Sequence, residues 1–165
     1  MHVSGVVHVN INCSDFNRSL AFYQRLGFRL VAMVPETNSA EVAAAVGMPP
    51  YRVRGGILAL RGESTLIDLL QWIEPTDPEP PYRHLYHLGL ARLALRTNDL
   101  DADVAELRAA GVELWSEPAT VAWPGQPTSR IVCCSDPDGT VIEFVELAEG
   151  AEGAATAETA DGPQA

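Results

Sequence analysis

The sequence has no lysine: all 11 of its basic residues are arginine, set against 22 Asp and Glu, for a formal net charge of -11. Phosphate backbones and anionic lipid are repelled by such a surface, so the expectation is no nucleic acid and no membrane among the partners. Long apolar runs are also missing; none approaches the ~20 residues a spanning helix needs. A basic stretch followed by an apolar signal segment is absent from the N-terminus, which makes a cytoplasmic protein the default. Cysteine is scarce. Cys13, Cys133 and Cys134 are too few for a disulfide framework and form no CxxC pair. The neighbours Cys133 and Cys134 sit in an apparent strand and should point to opposite faces, as small core or wall residues.

What the sequence does have is a repeat. Residues 5–31, GVVHVNINCSDFNRSLAFYQRLGFRLV, lie without a gap over residues 89–115, GLARLALRTNDLDADVAELRAAGVELW, at an offset of 84. Each copy opens on an alternating stretch that predicts a strand, with Val7, Val9 and Ile11 on one face and His8, Asn10 and Asn12 on the other. Asp15 and Asp99 follow as helix starts, and Gly27 and Gly111 stand where the helices stop. Between them, Phe16, Leu20, Tyr23 and Leu26, or Leu100, Val104 and Leu107, recur at helical spacing. A second correspondence, at offset 75, sets STLIDLLQW (64–72) against GTVIEFVEL (139–147), so that Asp68 meets Glu143. The turn sequence SDPDG (135–139) before the last strand predicts a hairpin.

These features divide the chain into module one (1–74), a linker (75–88), module two (89–148) and a tail (149–165). The linker begins among four prolines in EPTDPEPPY (74–82), which cannot continue a helix or a sheet interior. The tail, with six Ala, three Gly and no large apolar residue, has nothing to bury and is expected to be disordered. Module one also carries the extra segment PETNSAEVAAAVGMPPY (35–51), where Ser39 is placed to cap a short helix of Ala40 to Val46. It reads either as a lid or as a plain surface insertion.

Two strand-helix-three-strand copies, with SLAFYQRLGF after a His-bearing first strand and SDPDGTVIEFVE at the close, resemble the vicinal oxygen chelate superfamily. That group spans glyoxalases, methylmalonyl-CoA epimerase, extradiol dioxygenases, fosfomycin-resistance thiol transferases and bleomycin-binding proteins. The resemblance implies an α+β fold of two tandem βαβββ modules forming a half-open barrel around a cavity, often as a homodimer. It also implies inward-facing metal ligands on the first and last strands of each module, which fall here on His8, Asp68, Arg92 and Glu143.

Arg92 departs from that pattern, because a guanidinium holds no lone pair for a cation. Turned inward, it should pair with Asp68 or Glu143 and occupy the place of the ion's charge. Alternatively His8, Asp68 and Glu143 form a three-ligand site suited to Zn, Ni, Mn or Fe. His84 and His87 replace the missing ligand only after local rearrangement, since their spacing is out of register.

The resemblance then implies a lyase or isomerase acting on a small oxygenated metabolite. Glu143 or Asp68 would move the proton, and a metal or Arg92 would stabilise an enediolate. The alternative is a non-catalytic binding or drug-sequestering protein, with Tyr23, Trp72, Trp115 or Trp123 as aromatic walls. Either way the expected partner is a small molecule.

Overall fold

A computed structural model describes residues 2–36, 40–81, 84–122, 124 and 128–148. Ser39, Trp123 and the tail fall outside the described residues. The chain divides into two compact units, one of residues 1–83 with 136–140, the other of 84–135 with 141–165. The division at 83/84 falls in the proline-containing stretch that separates the two copies of the repeat.

In module one the order is β1 (His8–Asn12), α1 (Phe16–Arg25), β2 (Arg29–Val34), α2 (Ala40–Ala45), β3 (Arg52–Ala59) and β4 (Leu66–Glu74). Module two follows with β5 (Leu93–Thr97), α3 (Leu100–Ala109), β6 (Ala119–Val121), β7 (Ser129–Ser135) and β8 (Val141–Leu147). Strands are ordered β1-β4-β3-β2 in one sheet and β5-β8-β7-β6 in the other. In each sheet the first and last strands of the module run parallel and the remaining pairs antiparallel. Each sheet is therefore mixed and open, with two edge strands, and neither closes into a barrel. No helix among the described residues is long and apolar enough to cross a membrane.

The repeat extends to individual hydrogen bonds. Asp15 caps α1 by accepting from Arg18 N at 3.0 Å, and Asp99 caps α3 by accepting from Ala102 N at 2.9 Å. At the other end, Gly27 (φ 91°) and Gly111 (φ 75°) take the left-handed conformation that closes a Schellman motif. There Phe28 N donates to Tyr23 O and Val112 N to Leu107 O. The last strand of each module also reaches the first N–H of its helix: Gln71 Oε1 accepts from Phe16 N at 3.1 Å, and Glu146 Oε1 from Leu100 N at 2.9 Å. These acceptors satisfy donors that a helix start leaves orphaned. In module two the acceptor is charged, favourable at a helix N-terminus, and its second oxygen takes Arg130 Nη1 at 3.0 Å.

The two cores differ in how closely they follow the spacing. Helix α3 buries Leu100, Val104 and Leu107, as the periodicity predicts. Helix α1 instead buries Phe16, Ser19, Phe22 and Tyr23, and leaves Leu20 and Leu26 half-buried. The cause lies in the turn 136–140, which belongs to this first unit. Tyr23 Oη donates to Asp136 Oδ2 at 2.9 Å and Ser19 Oγ to Asp138 Oδ2 at 3.1 Å, so the helix turns its Ser19 and Tyr23 side inward. Tyr23 is thus a fully buried core residue tied to a carboxylate, not an aromatic wall. On β1 only Ile11 is buried; Val7 lies ahead of the strand and is 71% exposed.

Asp138 collects four donors: Ser14 N, Ser14 Oγ, Ser19 Oγ and Arg18 Nη2, the last at 2.6 Å. Burial pushes its carboxyl up, but the Ser14 and Ser19 bonds and the Arg18 charge outweigh it and hold the group below the usual carboxylate range. A lowered folded value means that the stabilisation is present above the unfolded carboxylate pKa, ~3.9, and is lost as pH falls through the folded value. We expect Asp138→Ala to cost about 1–3 kcal/mol at pH 7 and to show a smaller further loss than wild type between pH 4 and pH 2. Urea denaturation across that range is the check; identical acid profiles would contradict it.

Candidate functional site

Alternation along the last strand of each module assigns its two faces. In β4, Ile67, Leu69 and Gln71 face α1, and Asp68, Leu70 and Trp72 face the other way; in β8, Ile142, Phe144 and Glu146 face α3, and Glu143 lies opposite. Both repeat-related carboxylates therefore stand on the face that no module helix of the α1 or α3 type covers.

In module one that face also carries His8, Asn10 and Asn12, all exposed, with Asn10 paired in register with Asp68. Asn10 Nδ2 donates to the Asp68 backbone oxygen at 2.9 Å and Trp72 Nε1 to Asn12 Oδ1 at 2.8 Å. Asp68 is half-buried, and its Oδ1 is shielded from solvent with no hydrogen-bond partner. Burial raises its carboxyl above the usual range, with the charge of His8 opposing.

The inserted segment covers one end of this face. Ala43 of α2 and Tyr51 form a buried cluster with Val53 and Leu70, joined by Val34, Met48 and Trp72. The rings of Tyr51 and Trp72 lie 4.8 Å apart, tilted by 38°. The segment is thus a packed cover on the sheet, with Trp72 partly beneath it.

In module two, Arg92 precedes β5 and its Nε lies 3.1 Å from Glu143 Oε2. The Glu143 side chain is 9% exposed and that of Arg92 46%, so a buried carboxylate is held by a half-exposed arginine. Ala94 and Cys133 flank Glu143 on the neighbouring strands. Burial raises the Cys133 thiol, Glu143 raises it further, and Arg92 opposes. Its neighbour Cys134 is fully buried on the opposite, helix-packed face, as strand alternation requires.

The expected site residues thus fall into two pairs, each within its own unit: His8 with Asp68, and Arg92 with Glu143. Of the two carboxylates open to it from sequence, Arg92 takes Glu143. The other aromatic candidates are dispersed: Trp115 is half exposed, with its backbone N–H on Cys133 O. His84 stacks on Tyr86 at 4.7 Å in an exposed segment that also contains His87. Sequence reasoning missed Tyr51 and Asn12 as partners of Trp72, contacts that only the strand register brings about.

A divalent ion, which the fold implies, finds a poor donor set in these residues. Arg92 offers no lone pair, and its guanidinium already occupies Glu143. Among the described residues no three His, Cys, Asp or Glu side chains gather as a metal-binding group.

Comparison with known proteins agrees with this architecture. The family model of the Glyoxalase/Bleomycin resistance protein/Dioxygenase superfamily matches residues 5–144. The uncharacterized protein YwkD of Bacillus subtilis (strain 168) is 30% identical over 152 residues, covering 88% of this chain and 99% of that one. A glyoxalase family protein from Bacillus cereus has the same fold with a TM-score of 0.74 at 18% identity, over 89% of this chain and 96% of its own. TnmS3, an antibiotic binding protein from Streptomyces sp. CB03234, is 30% identical with a TM-score of 0.63, over 90% of this chain and 99% of its own. With both modules and nearly the whole repeat matched, the chain belongs to the Glyoxalase/Bleomycin resistance protein/Dioxygenase superfamily.

Proposed function

We propose that this chain is a small-molecule-binding member of the superfamily that holds its ligand without a metal and releases it unchanged. The observation that carries this is the Arg92–Glu143 pair at 3.1 Å: a position expected to ligate an ion bears a fixed cation, and it neutralises the carboxylate beside it. Support comes from TnmS3, which is described as an antibiotic binding protein and matches nearly end to end at 30% identity. The polar face of β1 and β4 and the aromatic pair under α2 offer the mixture of apolar wall and few polar anchors that binding surfaces use.

One observation favours a lyase or isomerase instead. Asp68 is a half-buried carboxylate of raised basicity, a quality wanted in a general base. In that reading Asp68 takes a proton next to a carbonyl of the substrate.

Calorimetric titration with bleomycin and with daunorubicin, set beside α-proton exchange of a panel of 2-hydroxyketones in D2O, separates the two. The proposal expects saturable 1:1 binding of at least one antibiotic at about 10 μM or tighter, with the compound recovered intact and no catalysed exchange. Catalysed exchange abolished by Asp68→Asn, without antibiotic binding, would establish the enzyme reading in its place.

Metal independence is checked separately. Elemental analysis of protein purified without chelator should find well under one transition metal per chain, and EDTA should leave ligand binding unchanged. A full equivalent of metal that is lost in Glu143→Ala would refute it.

The ion pair itself has an energetic signature. Arg92→Met leaves Glu143 buried without its partner and should cost about 1–3 kcal/mol, whereas adding Glu143→Gln to that variant should restore part of the loss. Denaturant titration of the two single variants and the double variant reads the coupling; additive losses would contradict it.

A further inference from the structure

The two modules treat equivalent positions differently. Adding 84 to His8 gives Arg92, and adding 75 to Asp68 gives Glu143. In module two the pair is closed, with guanidinium Nε 3.1 Å from the carboxylate. In module one a histidine stands where the arginine would be, and Asp68 Oδ1 is left shielded and without a hydrogen bond. It is the sole buried side-chain polar atom so placed among the described residues. Buried acceptors are nearly always satisfied, because leaving one bare forfeits the hydrogen bonds it had in water.

We infer that Asp68 is the docking point for a cationic, hydrogen-bond-donating group of the ligand, an amidinium, guanidinium or ammonium that supplies in module one what Arg92 supplies in module two. This rests on the binding reading above and adds the chemical class of the ligand. A donor cation answers both needs of the site at once: it satisfies the bare oxygen, and it balances a carboxylate whose strand neighbours Ile67 and Leu69 are apolar and buried. The carboxylate is half-buried, and the turn about its side chain that a two-pronged donor requires crosses a broad, two-fold torsion. His8, Asn10 and Asn12 on the same face are exposed and polar, suited to contacts around a charged head. Trp72, four residues further along β4 and so about 13 Å away, offers an aromatic wall to the remainder of the molecule, its indole steered by Asn12. An occupant with the opposite charge would bring two anions together at this face.

Benzamidine is the probe, with benzamide as its uncharged near-isostere, each titrated by calorimetry and ligand-observed NMR. The expected result is saturable 1:1 binding of benzamidine at least about tenfold tighter than benzamide, weakened about tenfold or more by Asp68→Asn, the loss of one charge-assisted contact. A second variant tests the same idea by filling the slot: His8→Arg places a guanidinium at the position equivalent to Arg92 and should abolish benzamidine binding while the protein stays folded. Equal binding of benzamidine and benzamide, or benzamidine binding indifferent to both substitutions, overturns the inference. If antibiotics still bind in that case, the binding function stands and only the assignment of Asp68 falls. If catalysed exchange of hydroxyketones is found with no retained ligand, the binding reading falls with it.

Discussion

The bond from the last strand of each module to the first backbone N–H of its helix governs the layout of this protein. Gln71 and Glu146 can reach Phe16 N and Leu100 N only if their strands present the odd-numbered residues of β4 and the even-numbered residues of β8 to the helix. Because side chains alternate, that choice sends Asp68 and Glu143 to the opposite face in both modules. A slip by one residue would move these carboxylates into the helix-packed core and the apolar set out of it. Helix caps, core and site are thus consequences of one register, repeated at fixed offsets.

On the far face the two modules diverge. Module two closes on itself electrostatically: Glu143 is buried, Arg92 reaches over it, and Cys133 and Ala94 are the small neighbours that leave room. Module one stays open, with an unsatisfied carboxylate oxygen, a row of exposed polar residues and an aromatic pair partly roofed by α2. The difference between the modules rests on one position, histidine in module one and arginine in module two.

Much of this was legible in the sequence because the signals are local. Asp15 and Asp99, Gly27 and Gly111, and the alternation of Val7, Val9 and Ile11 each act within a few residues, and two copies reinforce one another. The stripe of α1 follows the helical spacing only in part, at Phe16 and Tyr23, for the opposite reason. Ser19 is buried and Leu20 half-buried because a turn more than 110 residues away supplies Asp136 and Asp138, and no spacing within the helix announces that. The choice of Glu143 over Asp68 by Arg92 was likewise open, since both lie in apolar runs and only their modules distinguish them. The inserted segment reads from sequence as a lid or a plain surface insertion, and the packing of its Ala43 and Tyr51 against Leu70 and Val53 depends on contacts that no local pattern announces.

The proposal that a guanidinium stands in for an ion rests on the Arg92–Glu143 pair. It is tested most directly by the Nε–H resonance of Arg92 in a 15N-labelled sample, followed while ZnCl2 or NiCl2 is added. The account predicts a slowly exchanging, shifted signal in the wild type that is absent in Glu143→Gln and unaffected by one equivalent of metal. Loss of that signal on stoichiometric metal binding would show Glu143 changing partners and would contradict it.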